Sequence, residues 1–223
     1  MKYPDYQTEE LQINVEGIPI KILQITNVDE LFEALIAKGE AHEDVQDERI
    51  PYWAELWPAA IGLSRHLIKS DIIKTSMKVT EIGCGLGLPG IIAGKLGAEV
   101  TLTDYLADAL DFTKQNWALN NNQIANFMQM DWRQPSPTLA ADVVLASDVT
   151  YEKRFFEFLP NAFRKLCKPG GKILVSDPSR EAAKTFFDSI EKEGFTKQQF
   201  TYQVQPLMGG KEITVNIFLL QLT

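Results

Sequence analysis

The chain has 223 residues, of which 45% are hydrophobic and 10% aromatic, enough for one α/β domain with an added segment and too apolar for global disorder. Its 22 Lys plus Arg stand against 30 Asp plus Glu, a formal charge of −8. With no basic run to offset it, that charge argues against a nucleic-acid partner, because nonspecific binding rests on cations neutralising phosphates. Cys84 and Cys167 have neither C-x-x-C spacing nor histidines beside them, so neither a disulfide framework nor a metal site is expected. No run approaches the roughly 20 apolar residues of a membrane span. The polar, acidic start MKYPDYQTEE is unlike a signal peptide, and a cytoplasmic setting is expected.

In chain order, Leu11 to Ile25 reads as two short strands about the turn Glu16-Gly17-Ile18-Pro19. Val28 to Lys38 has helical spacing, with Asn27 as N-cap and Gly39 as stop. Ala41 to Arg49 is charged and reads as a loop. Residues 1–50 thus form an N-terminal extension, and 51–223 the main domain. From Lys78 the rhythm becomes strand and helix in alternation. Val79 to Ile82, Glu99 to Thr103, Phe127 to Met130, Val143 to Ala146 and Lys172 to Ser176 are strands. Leu88 to Leu96, Ala107 to Asn120, Phe155 to Cys167 and Glu181 to Glu193 are helices. This alternation predicts an α/β fold, a mostly parallel sheet covered by helices on both faces. Gln198 to Gln205 and Ile213 to Leu222 are joined by too short a loop for a helical crossover, so they predict a reversed antiparallel hairpin at the end of the sheet.

Glu81-Ile82-Gly83-Cys84-Gly85-Leu86-Gly87 lies where a strand becomes a helix. Glycines let the backbone approach a ligand, and the helix start at Leu88-Pro89 offers unpaired amides. Gly85 to Gly90 also satisfies the G-x-G-x-x-G dinucleotide pattern, so the glycines alone fit either NAD or S-adenosylmethionine. Glu81, two residues before Gly83, is typical of the methyltransferase loop Glu/Asp-x-Gly-x-Gly-x-Gly. Asp104, at the tip of the next strand, is suited to ribose hydroxyls in either class. Asp131-Trp132 follows the third strand, where methyltransferases commonly hold adenine. With the terminal hairpin, these select S-adenosylmethionine and a Rossmann-like, seven-stranded fold.

Three further segments resemble the seven-β-strand protein-lysine methyltransferases. They are Trp53-Ala54-Glu55-Leu56-Trp57-Pro58-Ala59-Ala60, Ser147-Asp148-Val149-Thr150-Tyr151 and Asp177-Pro178-Ser179-Arg180. The last is similar to the Asp-Pro-x-Arg element of the branch that modifies the β subunit of electron-transfer flavoprotein. The resemblance covers about Tyr52 to Phe187 and implies a protein substrate presenting a lysine. It further implies that Trp57 and Trp132 wall the cofactor, Gly83 and Gly85 approach its methionine part and Asp104 holds the ribose. Glu81, Cys84, Gly87 and Asp131 belong to the same cofactor site, and Ser147 lines it by its backbone. Asp148 and Tyr151 then face the methyl-accepting amine. No metal is called for.

A lysine ammonium with a pKa near ~10.4 is mostly unreactive at neutral pH. Asp148 can orient it and Tyr151 offers a π face, but a carboxylate favours the charged amine, so Asp148 alone does not account for deprotonation. Plain structural readings stand beside these roles. Asp148 could cap a helix starting near Glu152, Trp53 could be core, Glu55 a solvated or loop-anchoring acid, and His66 a surface or packing residue. Arg180 could pair locally or meet substrate, and Asn116 and Asn120 could anchor neighbouring loops. A methyltransferase for a small-molecule amine, a nicotinamide oxidoreductase and a catalytically silent cofactor-binding module are the functional alternatives.

Overall fold

The alternating runs from residue 78 onward form a seven-stranded sheet in the computed structural model, which describes residues 6–47, 49–207 and 209–223. The strands are β3 (Lys78–Ile82), β4 (Glu99–Asp104), β5 (Asn126–Gln129), β6 (Ala141–Ser147), β7 (Cys167–Asp177), β8 (Phe195–Val204) and β9 (Ile213–Leu222). Their order across the sheet is β5-β4-β3-β6-β7-β9-β8. Pairings among β3 to β7 are parallel, and β9 is antiparallel to both β7 and β8. The expected hairpin therefore forms, but only its last strand is reversed, and it slots between β7 and β8.

Helices α3 (Pro58–Ser70), α4 (Leu88–Lys95), α5 (Ala107–Asn120), α6 (Leu159–Leu166) and α7 (Glu181–Ser189) cover the sheet. The two-residue period of a strand divides the core into two layers. Val143 and Leu145 of β6 join the layer holding Leu63, Ile91 and Phe112, whereas Val144 and Ala146 join Phe163, Phe186 and Phe187. Among the described residues no helix is long and apolar enough to cross a membrane.

Ahead of this sheet, β1 (Thr8–Val15) and β2 (Ile18–Ile25) pair antiparallel, followed by α1 (Val28–Ile36) and the short α2 (Glu43–Gln46). The turn is tighter than expected. Glu16 and Gly17 both take positive φ, 49° and 89°, as a two-residue hairpin turn of matching twist requires, so Ile18 and Pro19 belong to β2. Asn27 stands at the α1 N-cap position, but its side chain accepts from the Gln7 N–H and donates to Glu30.

Three boundaries depart from expectation. The helix predicted from Phe155 starts at Leu159, after a 3-10 turn at Lys153–Phe155, because Pro160 is tolerated only in a first turn. Strand β7 extends back to Cys167 through Pro169-Gly170-Gly171, with a register shift against Ala141 and Val143 of β6. The predicted loop at 41–49 holds α2 and is tied down by ion pairs, among them Arg49 with Asp44 and Lys38 with Asp44.

Candidate active site

Strands β3, β4 and β6 end side by side at the point where the chain, having run outward through β4 and β5, returns to the other side of β3. Ligands of open α/β sheets settle in the crevice at such a switch point. A cavity of about 430 Å³ lies there. Its walls come from the glycine loop after β3, Asp104 and Tyr105 after β4, Asp131 to Arg133 after β5, and Ser147, Asp148 and Tyr151 after β6. Trp53 and Trp57 precede α3 on its rim.

The glycine loop is held by its backbone. Cys84 N–H donates to Thr103 O (3.0 Å) and Gly87 N–H to Cys84 O (2.7 Å), while Asn116 Nδ2 donates to Leu86 O (3.1 Å). Gly83 has φ +59°, and a Cβ there would stand 2.8 Å from the Trp132 ring, so the loop and that ring touch only because residue 83 has no side chain. The Cys84 thiol is buried 3.4 Å from Thr113 Oγ1. Burial pushes it well above its ordinary pKa, leaving the backbone of Cys84 to line the cavity.

Glu81 does not reach the cavity wall. It is wholly buried behind the loop, with Oε2 accepting from Gly90 N–H (2.8 Å) in the first turn of α4. Burial pushes its carboxyl up to about 8. Asp104 does reach the cavity, 8% exposed. Its Oδ2 accepts from Gly85 N–H (3.0 Å) and its Oδ1 from Leu106 N–H (3.1 Å). Each oxygen keeps a second lone pair for a ligand hydroxyl. Burial raises this carboxyl as well.

At one end of the cavity, Asp131 is clasped by its near neighbour Arg133. The Arg133 backbone N–H lies 2.8 Å from Oδ1 and Nε lies 2.8 Å from Oδ2. The same guanidinium binds Asp47 through Nη1 (2.6 Å) and Nη2 (3.2 Å), and Tyr105 OH donates to Asp47. Arg133 holds the Asp47 carboxyl down to about 2. Asp47 and Arg49 thus line the site although their segment reads as a plain loop. The one cue in the sequence is the alternation of acids with an arginine just before the tryptophans. Trp132 meets Phe155 edge to face at 5.4 Å, completing an aromatic wall.

At the other end, Asp148 takes φ +59° while its N–H donates to Ser176 O (2.9 Å). No helix starts beside it, so it is not a cap. Its carboxylate instead faces Arg180, which reaches it with both Nη1 and Nη2, the latter at 3.1 Å. Tyr151 is half-buried, edge to face with Tyr52 and Phe155 at 5.6 Å each, and burial holds its hydroxyl protonated above the usual range. Trp57 donates from Nε1 to Tyr52 O (2.6 Å), and Ser147 ends β6 at the cavity.

The plain readings divide. Trp53 packs on Tyr6 and Phe112 while touching the cavity. His66 is buried against Phe200, 3.0 Å from Tyr202 OH, and away from the cavity. Glu55 is exposed at the rim. Asn116 and Asn120 do anchor neighbouring backbone, as described below.

A glycine loop after the first sheet strand, an acid after the second and a single reversed last strand define a Rossmann-like methyltransferase domain. In fold the chain is similar to a TehB-like SAM-dependent methyltransferase from Corynebacterium glutamicum, with a TM-score of 0.55 and 17% identity over 86% of this chain and 95% of that one. The chain belongs to the lysine methyltransferase family, whose model matches residues 40–193. Relatives include the mouse protein N-lysine methyltransferase METTL21A, 31% identical over 67% of this chain and 71% of that protein. The rat histone-arginine methyltransferase METTL23 is 36% identical over 48% of this chain, which spans 51% of that protein.

Proposed function

We propose that this chain transfers a methyl group from S-adenosylmethionine to a protein nitrogen, with a lysine side chain as the acceptor, in the reducing cytoplasm where Cys84 and Cys167 stay free. When bound, the cofactor supplies an electrophilic methyl group on a sulfonium whose leaving group is a neutral thioether.

The observation that carries the cofactor reading is the Glu81 carboxyl, which reaches from the end of β3 to the first turn of α4. A diphosphate would need the free amides of that helix start. Pro89 has none, and the Gly90 N–H is already bound to Glu81. A ribose and a sulfonium need no such amides. Asp104, with spare lone pairs on both oxygens, suits the ribose hydroxyls. Gly83 and Gly85 supply the close backbone approach, and Trp132 and Trp57 the apolar walls. On the acceptor side Asp148 and Tyr151 orient the amine, and Tyr52, Trp57 and Phe155 form an aromatic rim around it.

Titration with S-adenosylhomocysteine and with NADH tests the cofactor. We expect tight binding of the first and none of the second. Asp104→Asn should cost about 1.5–3 kcal/mol, roughly ten- to a hundred-fold in Kd. NADH binding in its place would overturn the reading. Radiolabelled methyl transfer into a lysate, with mass-spectrometric mapping, tests the acceptor. Label on lysine supports the proposal, whereas label only on arginine or on small molecules refutes the lysine assignment.

A further inference from the structure

Arg180 is built into the cavity wall. Its backbone N–H donates to Asp177 Oδ1 (2.7 Å), and Thr150 Oγ1 holds the other oxygen of that carboxylate (2.9 Å). The preceding residue, Ser179, has φ +62° and is fixed by Thr214 O and Asn216 Nδ2, each at 2.9 Å. The guanidinium therefore lies against Asp148 from a backbone anchored on both sides. Two planar donors facing two carboxylate oxygens make the strongest kind of side-chain ion pair. Asp148 is 11% exposed in its side chain and Arg180 31%; both border the cavity.

Other charged and titratable groups come from every element around the pair. Asp177, at the end of β7, lies 3.7 Å from Arg180 Nη1. Tyr151 and Glu152 follow β6, and Glu152 is paired with Arg154. Tyr52 and Glu55 precede α3, and Asp104 ends β4 across the cavity. Among these, Arg180 is the cation in contact with Asp148.

An unpaired carboxylate beside an acceptor amine would orient it but also favour its unreactive ammonium form. A carboxylate already matched by a guanidinium keeps free lone pairs for an amine N–H while presenting little net charge. Resting on the methyl-transfer reading above, we infer that Arg180 is a positioning residue of the acceptor site, pairing with Asp148 so that this carboxylate orients the incoming amine without keeping it protonated. The amine gives its proton to water at the cavity mouth before attack. The N–C bond then forms as the C–S bond breaks, with the bonding pair remaining on sulfur.

The pH dependence of kcat, which reports groups in the bound complex, tests this on the acceptor protein identified by labelling. In Arg180→Gln the rising limb should move up by about one pH unit. At pH 7 kcat should fall about tenfold while KM for the acceptor stays level or drops. Arg180→Lys, which keeps the charge without the fork, should return the limb toward the wild-type position. Asp148→Asn, which leaves the guanidinium unopposed, should move it the other way and raise KM, so the idea stays testable even if Arg180→Gln fails to fold. Independently of activity, the Asp148 carboxyl carbon, identified by NMR through Asp148→Asn, should titrate at higher pH in Arg180→Gln, with S-adenosylhomocysteine affinity unchanged. A limb that stays put in Arg180→Gln, or a KM that rises without a limb shift, would overturn the role of Arg180. Absence of any labelled protein with the wild-type enzyme would instead overturn the function on which it rests.

Discussion

The carboxyl of Glu81 lies wholly enclosed behind the glycine loop, with one oxygen on the Gly90 N–H and the other, Oε1, without a partner among the described residues. Desolvation raises its pKa from 4.5 to about 8 in the folded chain, and nearby Asp104 adds to the shift. At pH values between these two, the unfolded chain has released a proton that the folded chain retains. The stability contributed by the neutral acid is therefore full below about pH 4.5 and is lost as pH rises toward about 8. Glu81→Gln keeps an acceptor for Gly90 and removes the ionisation. Urea unfolding from pH 5 to 8.5 should show the wild type losing stability relative to Glu81→Gln by up to a few kcal/mol across that window. A pH-independent difference between the two proteins would refute the burial argument. The same residue works in the site without touching it, by filling with a carboxyl the helix start that a dinucleotide would need.

At the scale of elements, α5 joins the N-terminal hairpin to the cofactor loop through two asparagines one turn apart. Asn116 accepts from Leu23 N–H (2.7 Å) and donates to Leu23 O (3.2 Å) and Leu86 O (3.1 Å). Asn120 makes the equivalent two-way contact with Lys21 (3.0 and 2.7 Å), so the helix completes the open edge of β2 as a neighbouring strand would. Asn116 is fully buried, and Asn116→Ala strands backbone groups out of reach of water at a cost of about 1–3 kcal/mol. It should also weaken S-adenosylhomocysteine binding, since Leu86 belongs to the glycine loop. Asn120→Ala, whose contacts are more exposed, should cost less than about 1 kcal/mol and leave binding unchanged. An unchanged S-adenosylhomocysteine affinity in Asn116→Ala, with stability still lost in chemical unfolding, would show that Asn116 acts only on the hairpin. The sequence pattern predicted such anchoring without its partners, and that division recurs. Strands β3, β4 and β6 and the Gly83 to Gly87 loop are legible because alternation and turn chemistry are local properties. The Asp148–Arg180 pair spans 32 residues, and the placement of Asp47 and Arg49 depends on Arg133 and Tyr105, so neither is written in a local pattern. The insertion of β9 between β7 and β8 is hidden for the same reason, since hairpin signals fix pairing between two strands and not their other neighbours.

For the molecule as a whole, the question is whether the hairpin is an attachment or a part of the core. The family match begins at residue 40, which leaves β1, β2 and α1 outside it. Yet Val15, Ile20, Ile22 and Ile25 are at most 2% exposed and sit in the same hydrophobic cluster as Leu63, Ile91 and Trp117. Burying each such side chain contributes about 1.5–3 kcal/mol, so the four together contribute roughly 6–12 kcal/mol. A domain's entire net stability is about 5–15 kcal/mol. Removing residues 1–27 would strip that cover from α5, expose Phe112, which packs on Tyr6, and release the grip of Asn116 on the cofactor loop. The shortened chain is therefore expected to lose its cooperative thermal transition and its affinity for S-adenosylhomocysteine together. If it instead melts cooperatively within a few degrees of the full chain and binds the ligand equally well, the hairpin is an accessory to a domain that stands without it.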